Sequence, residues 1–598
     1  MVEAFTAQTG QDFADAFDDD AIRTAVGTAK PHAKMPNGFL LKADGLYWRD
    51  ESDPDAIPLR VSSRLDVHAE TRDDLGSSWG LLLGWSDPDG RPHQWAMPKA
   101  ELAGDGTAIR AHLLERGCYI SPIPKARTKL LDYLGTIQTD ARARAVDKVG
   151  WTDGAFVLPD RTIGDTQSHR VIFQGSSTLD HSYRTAGDLK LWQDDVARFA
   201  VGNSRLAVAI SAAFVGPLLE LIGEEGGGLN LRGPSSIGKS TALVAAASAW
   251  GNERFVGQWR ATLNGLEGIA VQHSETLLCL DELAQLDSKE AGSVAYLLAN
   301  GTGKARAGRS EALRSPAQWR VMFLSSGEIS LGDLAGRDGR GGRRSAAGQE
   351  VRILDIEADA GRGFGLFEDI HDAPDAETLS RWIKEGAARA HGIAGPAFVE
   401  MVAHSRESIT KALKLGVGEF ASASVPAGSN GQVARAARRF GLIATAGEMA
   451  ARVGILPWSP GEAVAAAGIV FARWLEGRGG AGASEDREAV ANVRAFLEAH
   501  GGSRFEPLDH EGGDLRVINR AGFWQAVSGL RDYLVLPQIW KNEVCAGMDA
   551  KQVARVLVER GMIDGGAGGK SSVLRKLPSL GRARVYVVKA AIFADEDV

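Results

Sequence analysis

Gly233-Pro-Ser-Ser-Ile-Gly-Lys-Ser-Thr241 follows the apolar stretch Leu229-Asn230-Leu231 and fits the pattern G-x-x-x-x-G-K-[ST]. The spacing suits one kind of chemistry, a strand turning into a helix around phosphate groups. Gly233 and Gly238 let the backbone curl so that successive N–H groups converge, with Pro234, Ser235, Ser236 and Ile237 between them. The helix that follows adds the positive end of its dipole. Lys239 is then placed to reach the β- and γ-phosphates and Ser240 to offer a hydroxyl to magnesium, while Thr241 completes the motif. Further on, Thr276-Leu-Leu-Cys-Leu-Asp281-Glu282 is an apolar strand ending in two carboxylates. Asp281 is expected to hold the same metal through a water, and Glu282 to polarise the attacking water. A protein that only switches can do without that glutamate, so the pair argues for turnover with ATP and Mg2+ as cofactors.

Other polar groups fall where they could serve this chemistry. Trp319-Arg-Val-Met-Phe-Leu-Ser-Ser-Gly327 reads as an apolar strand ending in hydroxyls, and Ser325 or Ser326 suits a group that orients the water. The alternative is a strand that ends in a polar turn. Five arginines lie between Arg337 and Arg352 against Asp338 and Glu350, and Arg344 and Arg352 lead as fingers reaching a neighbouring subunit's γ-phosphate. The plainer alternative is a flexible basic loop. Lys304, Arg306, Arg309 and Arg314 flank a turn at Arg309-Ser-Glu, which predicts a basic hairpin just before the serine strand. It would either grip a nucleic-acid backbone or serve as a structural insertion. Lys570, Arg575, Lys576, Arg582 and Arg584 form a second acid-free basic stretch, read as a phosphate-contacting surface or as a solvated hairpin.

The elements that must position these groups divide the 598 residues into several units. Residues 1–36, with Asp18-Asp19-Asp20, read as an acidic tail. Residues 37–186 alternate short strands with two helices, with hairpins around Asp44-Gly45 and Asp87–Gly90. Their tryptophans, Trp48, Trp79, Trp85, Trp95 and Trp151, are expected in a core, although stacking on bases is open to them. Residues 187–375 carry the strand–helix alternation of an α/β P-loop ATPase core of the AAA+ or superfamily 3 kind. Residues 376–480 are helical and alanine-rich, with a linker at Gly479–Ser484. Residues 481–598 read as winged-helix-like, with helices over Pro537–Val544 and Asp549–Arg560 and strands near 572–576 and 582–588.

Composition sets bounds on function. Hydrophobic residues make up 44% and charged residues 24%, and the net charge of −8 excludes a uniformly basic nucleic-acid binder, so any such surface is local. Cys118, Cys279 and Cys545 are scattered, with no metal-ligand spacing, which suits a reducing cytoplasm. No run of about 18 apolar residues suggests a membrane span, and the N-terminus lacks a secretory pattern.

Tyr296-Leu-Leu-Ala-Asn-Gly-Thr-Gly-Lys-Ala-Arg306, Trp319–Glu328 and Gly348–Ile356, with the P-loop before them, resemble the DUF927 family over roughly residues 40–375. That family is described as helicase-like proteins and inactivated derivatives of phages, plasmids and integrated elements. Lys239, Ser240, Asp281 and Glu282 are intact here, so the resemblance implies an active enzyme. The arrangement is similar to ring-forming initiator helicases. A single P-loop domain implies that a neighbouring subunit completes the site, hence a homo-oligomer, a hexameric ring. The leading expectation is an ATP-driven DNA helicase or translocase for a mobile element, with a primase or initiator as a separate protein. The alternative is an ATP-dependent DNA-binding assembly, initiator or defence factor that does not separate strands.

Overall fold

The computed structural model describes residues 33–594 apart from 54, 74–75, 165–169, 175–181, 304–305, 308–312, 315, 337–351, 479–483, 510–516, 547, 567–569 and 579. At its centre lie five parallel strands: β1 (Gly227–Arg232), β2 (Val256–Gln258), β3 (Leu277–Asp281), β4 (Met322–Gly327) and β5 (Ile353–Glu357). Their spatial order is β2-β3-β4-β1-β5. The phosphate-loop strand β1 is therefore flanked by β4 and β5, and the serine strand β4 sits between it and the carboxylate strand β3. Register aligns the carboxyl ends, with Arg232 opposite Gly327 and Leu280 opposite Ser325. Open parallel sheets bind ligands at that edge, where strand order reverses.

Such strands need cover on both faces, which explains their near-continuous apolar runs. On one face Leu229, Leu231, Leu277, Cys279, Met322, Leu324, Leu354 and Ile356 pack into the largest core, with the helix Lys239–Ala247 laid over them. On the other, Leu278, Leu280, Phe323 and Ile353 pack with Trp259, Leu298 and Trp319.

The larger core runs from Val149 to Trp474, across both boundaries expected at residues 187 and 376. The strands Gly150–Thr152 and Ala155–Val157 bring Trp151 and Phe156 into it, and Trp151 donates its indole N–H to Pro217 O at 2.8 Å. The alanine-rich helices Gly431–Arg452 and Glu462–Gly477 pack against the helix Ser204–Ala212, and Arg406–Ser424 packs on Gly431–Arg452, all in the same core.

The N-terminal strands form their own layer. A five-stranded sheet runs Arg170–Phe173, Arg142–Val146, Asp66–Arg72, Gly80–Ser86, Pro92–Pro98, and its core includes Trp85, Trp95, Leu130 and Tyr133. Both hairpins expected here are present, Phe39–Lys42 with Gly45–Trp48 and Gly80–Ser86 with Pro92–Pro98. Trp85, Trp95 and Trp151 are buried, whereas Trp79 is exposed and half-buried Trp48 lies under the Lys125 and Lys129 ammonium groups.

A third unit closes the chain. Asp549 caps the helix Ala550–Glu559 by accepting from Lys551 N at 2.8 Å. Before it Pro537–Ile539 and Trp540–Val544 form a helical segment, and after it Val573–Leu577 and Gly581–Val588 form a hairpin. That hairpin does not stand alone as a two-stranded wing. Phe505–Pro507, Gly522–Val527 and Leu530–Val535 extend it to five strands. These three carry little sequence signal, because short strands separated by loops have little periodicity of their own. Among the described residues no single helix is long and apolar enough to cross a membrane.

Candidate nucleotide site

The loop that follows β1 turns into the helix Lys239–Ala247 at Gly238, whose φ of +100° lies in the left-handed region that favours glycine. Ser236 also takes a positive φ, 63°. Pro234, Ser235 and Ser236 are exposed, Gly233, Ile237 and Gly238 half-buried, and Lys239 and Thr241 buried. The Lys239 ammonium donates back to Gly233 O at 2.7 Å and to Pro234 O. Burial lowers its pKa, while the carboxylates of Glu328, Glu282 and Asp281 oppose that shift.

Asp281 ties the parts together. Ser240 Oγ donates to its Oδ2 at 3.0 Å, and Ser326 Oγ donates to its Oδ1. Glu282 follows in a left-handed conformation, φ +61°, with its side chain exposed. A non-glycine residue held there is strained, and such strain persists where surrounding structure fixes it. The cluster thus joins a phosphate loop, a hydroxyl on a carboxylate, and a second carboxylate facing solvent, the set needed to hold a metal-bound phosphate beside an activated water.

The two serines part company. Side chains alternate along a strand, so Ser326 faces Asp281 while Ser325 faces away, buried against Trp259, whose Nε1 donates to its hydroxyl at 2.8 Å. Ser325 is therefore corrected from candidate catalytic group to core partner of an indole. Glu328, one residue past β4, is an exposed acid near Lys239 that the sequence reading passed over, although its place after the serine strand was legible.

Arg344 falls outside the described residues. Arg352 precedes β5, at the amino end of the sheet and so away from its own P-loop, with its guanidinium 4.6 Å over the Tyr296 ring. Of the basic hairpin, Arg306–Ala307 pairs antiparallel with Leu313–Arg314, and Thr302 bridges Gln318 at its base. Lys304 and Arg309 are outside the described residues. In the C-terminal unit Lys570, Arg575, Lys576, Arg582 and Arg584 are all exposed. The register Lys576↔Arg582 and Leu574↔Arg584 puts three of these cations on one face of the hairpin.

Residues 39–318 match the model of DUF927, a domain of unknown function. Over that segment, a little under half of its length, the chain is similar to the DUF927 family. The DUF927 match contains the P-loop and Asp281-Glu282 and ends before β4, so Ser326, β5 and everything beyond lie outside it. It is shorter than the stretch of resemblance read from the sequence. No curated protein matches in sequence. A solved structure titled "SCCmec type IV Cch - active helicase" is similar, with a TM-score of 0.66 at 18% identity, covering 93% of this chain and 98% of that one. At that identity the likeness shows a shared fold, and it extends well beyond the DUF927 segment.

Proposed function

We propose that this protein is an ATP-driven, ring-forming DNA helicase or translocase that serves replication of a mobile genetic element. The observation that carries the reading is the junction of P-loop and carboxylate strand, Ser240 Oγ on Asp281 Oδ2 at 3.0 Å, with exposed Glu282 next in the chain. The likeness to a structure titled as an active helicase supports the motor part of the reading.

The residues present fit ATP with magnesium: a hydroxyl and a carboxylate share one pole of the loop, and an ammonium lies at its mouth. Ser240 and Asp281 would hold the metal, which supplies charge against the β- and γ-phosphates. The backbone N–H groups of the loop bind the phosphates, and Lys239 adds a cation where negative charge gathers in the transition state. Glu282 takes the proton of the attacking water, and Ser326 holds Asp281 in its orientation. Arg344 or Arg352 of a neighbouring subunit completes the site, which makes a hexameric ring the working form. Lys304, Arg306, Arg309 and Arg314 would meet the DNA backbone inside the ring. The C-terminal cations would meet duplex DNA, as in a winged helix.

The test is displacement of a strand from forked DNA by the full chain, in both polarities, with Lys239→Ala and Glu282→Gln as controls. Unwinding by the wild type and its loss in both variants is expected, with DNA-stimulated hydrolysis also lost in a Lys304→Ala/Arg306→Ala double variant. ATP hydrolysis without strand separation in either polarity overturns the motor and leaves the assembly, initiator or defence factor.

A further inference from the structure

After β5 the chain makes a loop before the helix Ala376–Arg389, and this loop leans on the phosphate loop. Leu366 N donates to Ile237 O at 2.8 Å, and Leu366 and Phe367 are buried beside Gly238. Both ends are clamped by consecutive residues at the start of the helix Ser204–Ala212. The buried Arg205 guanidinium donates to Glu357 O and Asp359 O, each at 3.3 Å, and to Glu368 Oε1 at 3.0 Å. Asn203 Oδ1 accepts from Glu368 N and Asp369 N at 2.8 and 3.0 Å, and Ser204 N donates to Glu368 Oε2 at 2.9 Å.

Between these clamps the tip Gly361-Arg-Gly-Phe-Gly365 is closed by Ala360 N donating to Gly365 O at 2.7 Å. Its three glycines have φ of 76°, 82° and 64°, so the turn is set by backbone that other residues rarely adopt. The tip is thus held rigidly at its base, yet Phe364 is left 38% exposed, an aromatic ring with no core to fill. An aromatic face presented beside a phosphate loop suits one partner, the flat base of the nucleotide whose phosphates that loop binds.

We propose that this tip is the base-binding wall of the nucleotide site, with the Phe364 ring stacked on the nucleobase. The proposal rests on the reading of Gly233–Thr241 as a nucleotide site. It is tested by titrating the full-length protein with Mg-ATP and, separately, with magnesium and inorganic triphosphate, which carries the phosphates without a base. Phe364→Ala is expected to weaken ATP binding about tenfold, to leave triphosphate binding unchanged, and to be rescued by Phe364→Trp. Equal loss of both ligands overturns the proposal in favour of a mere prop for the loop. Unchanged ATP affinity overturns it as well, and if hydrolysis or assembly falls at the same time, the tip is a contact between subunits. A wild type that binds neither ligand removes the nucleotide reading itself, and the wall with it.

Discussion

The two faces of the central sheet carry the same kinds of polar residue near their carboxyl ends and use them in opposite ways. On the face beneath the helix Lys239–Ala247, Asp281 collects the hydroxyls of Ser240 and Ser326 while its neighbour Glu282 stays exposed. On the other face, Ser325 accepts from the Trp259 indole at 2.8 Å and Asn230 Nδ2 donates to Asp355 Oδ1 at 2.7 Å, with Ser325, Trp259 and Asn230 buried and Asp355 half-buried. Burial pushes the Asp355 carboxyl up to about 6. A carboxylate and hydroxyls can do chemistry only where a ligand can reach them. The same groups one residue away, turned to the other side, pair among themselves and hold the sheet together.

Substitutions can break this comparison. The largest effect is expected from Asp281→Asn, which removes the negative charge that two hydroxyls serve: steady-state ATP hydrolysis should fall roughly a hundredfold or more, with the circular dichroism spectrum unchanged. Ser326→Ala should follow with about a tenfold fall in hydrolysis and little change in melting. Ser325→Ala should do the reverse, keeping hydrolysis near wild type while costing about 1–3 kcal/mol in denaturant titration, because the buried Trp259 N–H loses its acceptor. If the two serine variants exchange phenotypes, the division between the faces is wrong.

The smallest expected effect is a change in pH dependence. His273, buried at the amino end of β3 with Nδ1 at 3.0 Å from Leu277 O, is held down to about 4 by burial. Its neutral form is preferred in the fold, so its contribution is present above about 6.5 and is lost as pH falls toward 4. Asp355 has the opposite sign: its folded value is raised, so it adds stability as pH falls from about 6 toward 4 and offsets part of that loss. Asp355→Asn should therefore steepen the acid loss of stability between pH 6 and 4, on the order of 1–2 kcal/mol, in melting temperatures recorded across that window. A variant with the wild-type slope would show that Asp355 does not titrate as its burial requires.

Much of the site was legible from local chemistry. The P-loop announces itself because Gly238 sits where the backbone needs positive φ, and β3 because its apolar run ends in paired acids. The hairpin at Arg306–Arg314 followed from its turn residues. The parts that were not legible depend on distant partners. Trp259 as the owner of Ser325, Arg205 as the clamp on the loop after β5, and Trp151 as part of the main core carry no short-range signal, since each is defined by a residue far along the chain. The expected boundaries at 187 and 376 met the same obstacle: composition shifts at those points, whereas packing does not.

By itself the sequence determined the glycine-bounded loop at Gly233–Gly238, the paired carboxylates and the presence of an α/β core, because glycine conformations, apolar runs and motif spacing act over a few residues. Only the tertiary structure decided which serine faces Asp281, that β5 flanks β1 on its far side, and that the loop after β5 rests on Ile237. The physical reason is parity and crossover. A strand's facing alternates every residue, so its partners' register must fix which side is which, and in a parallel sheet those partners arrive only after long connections through helices.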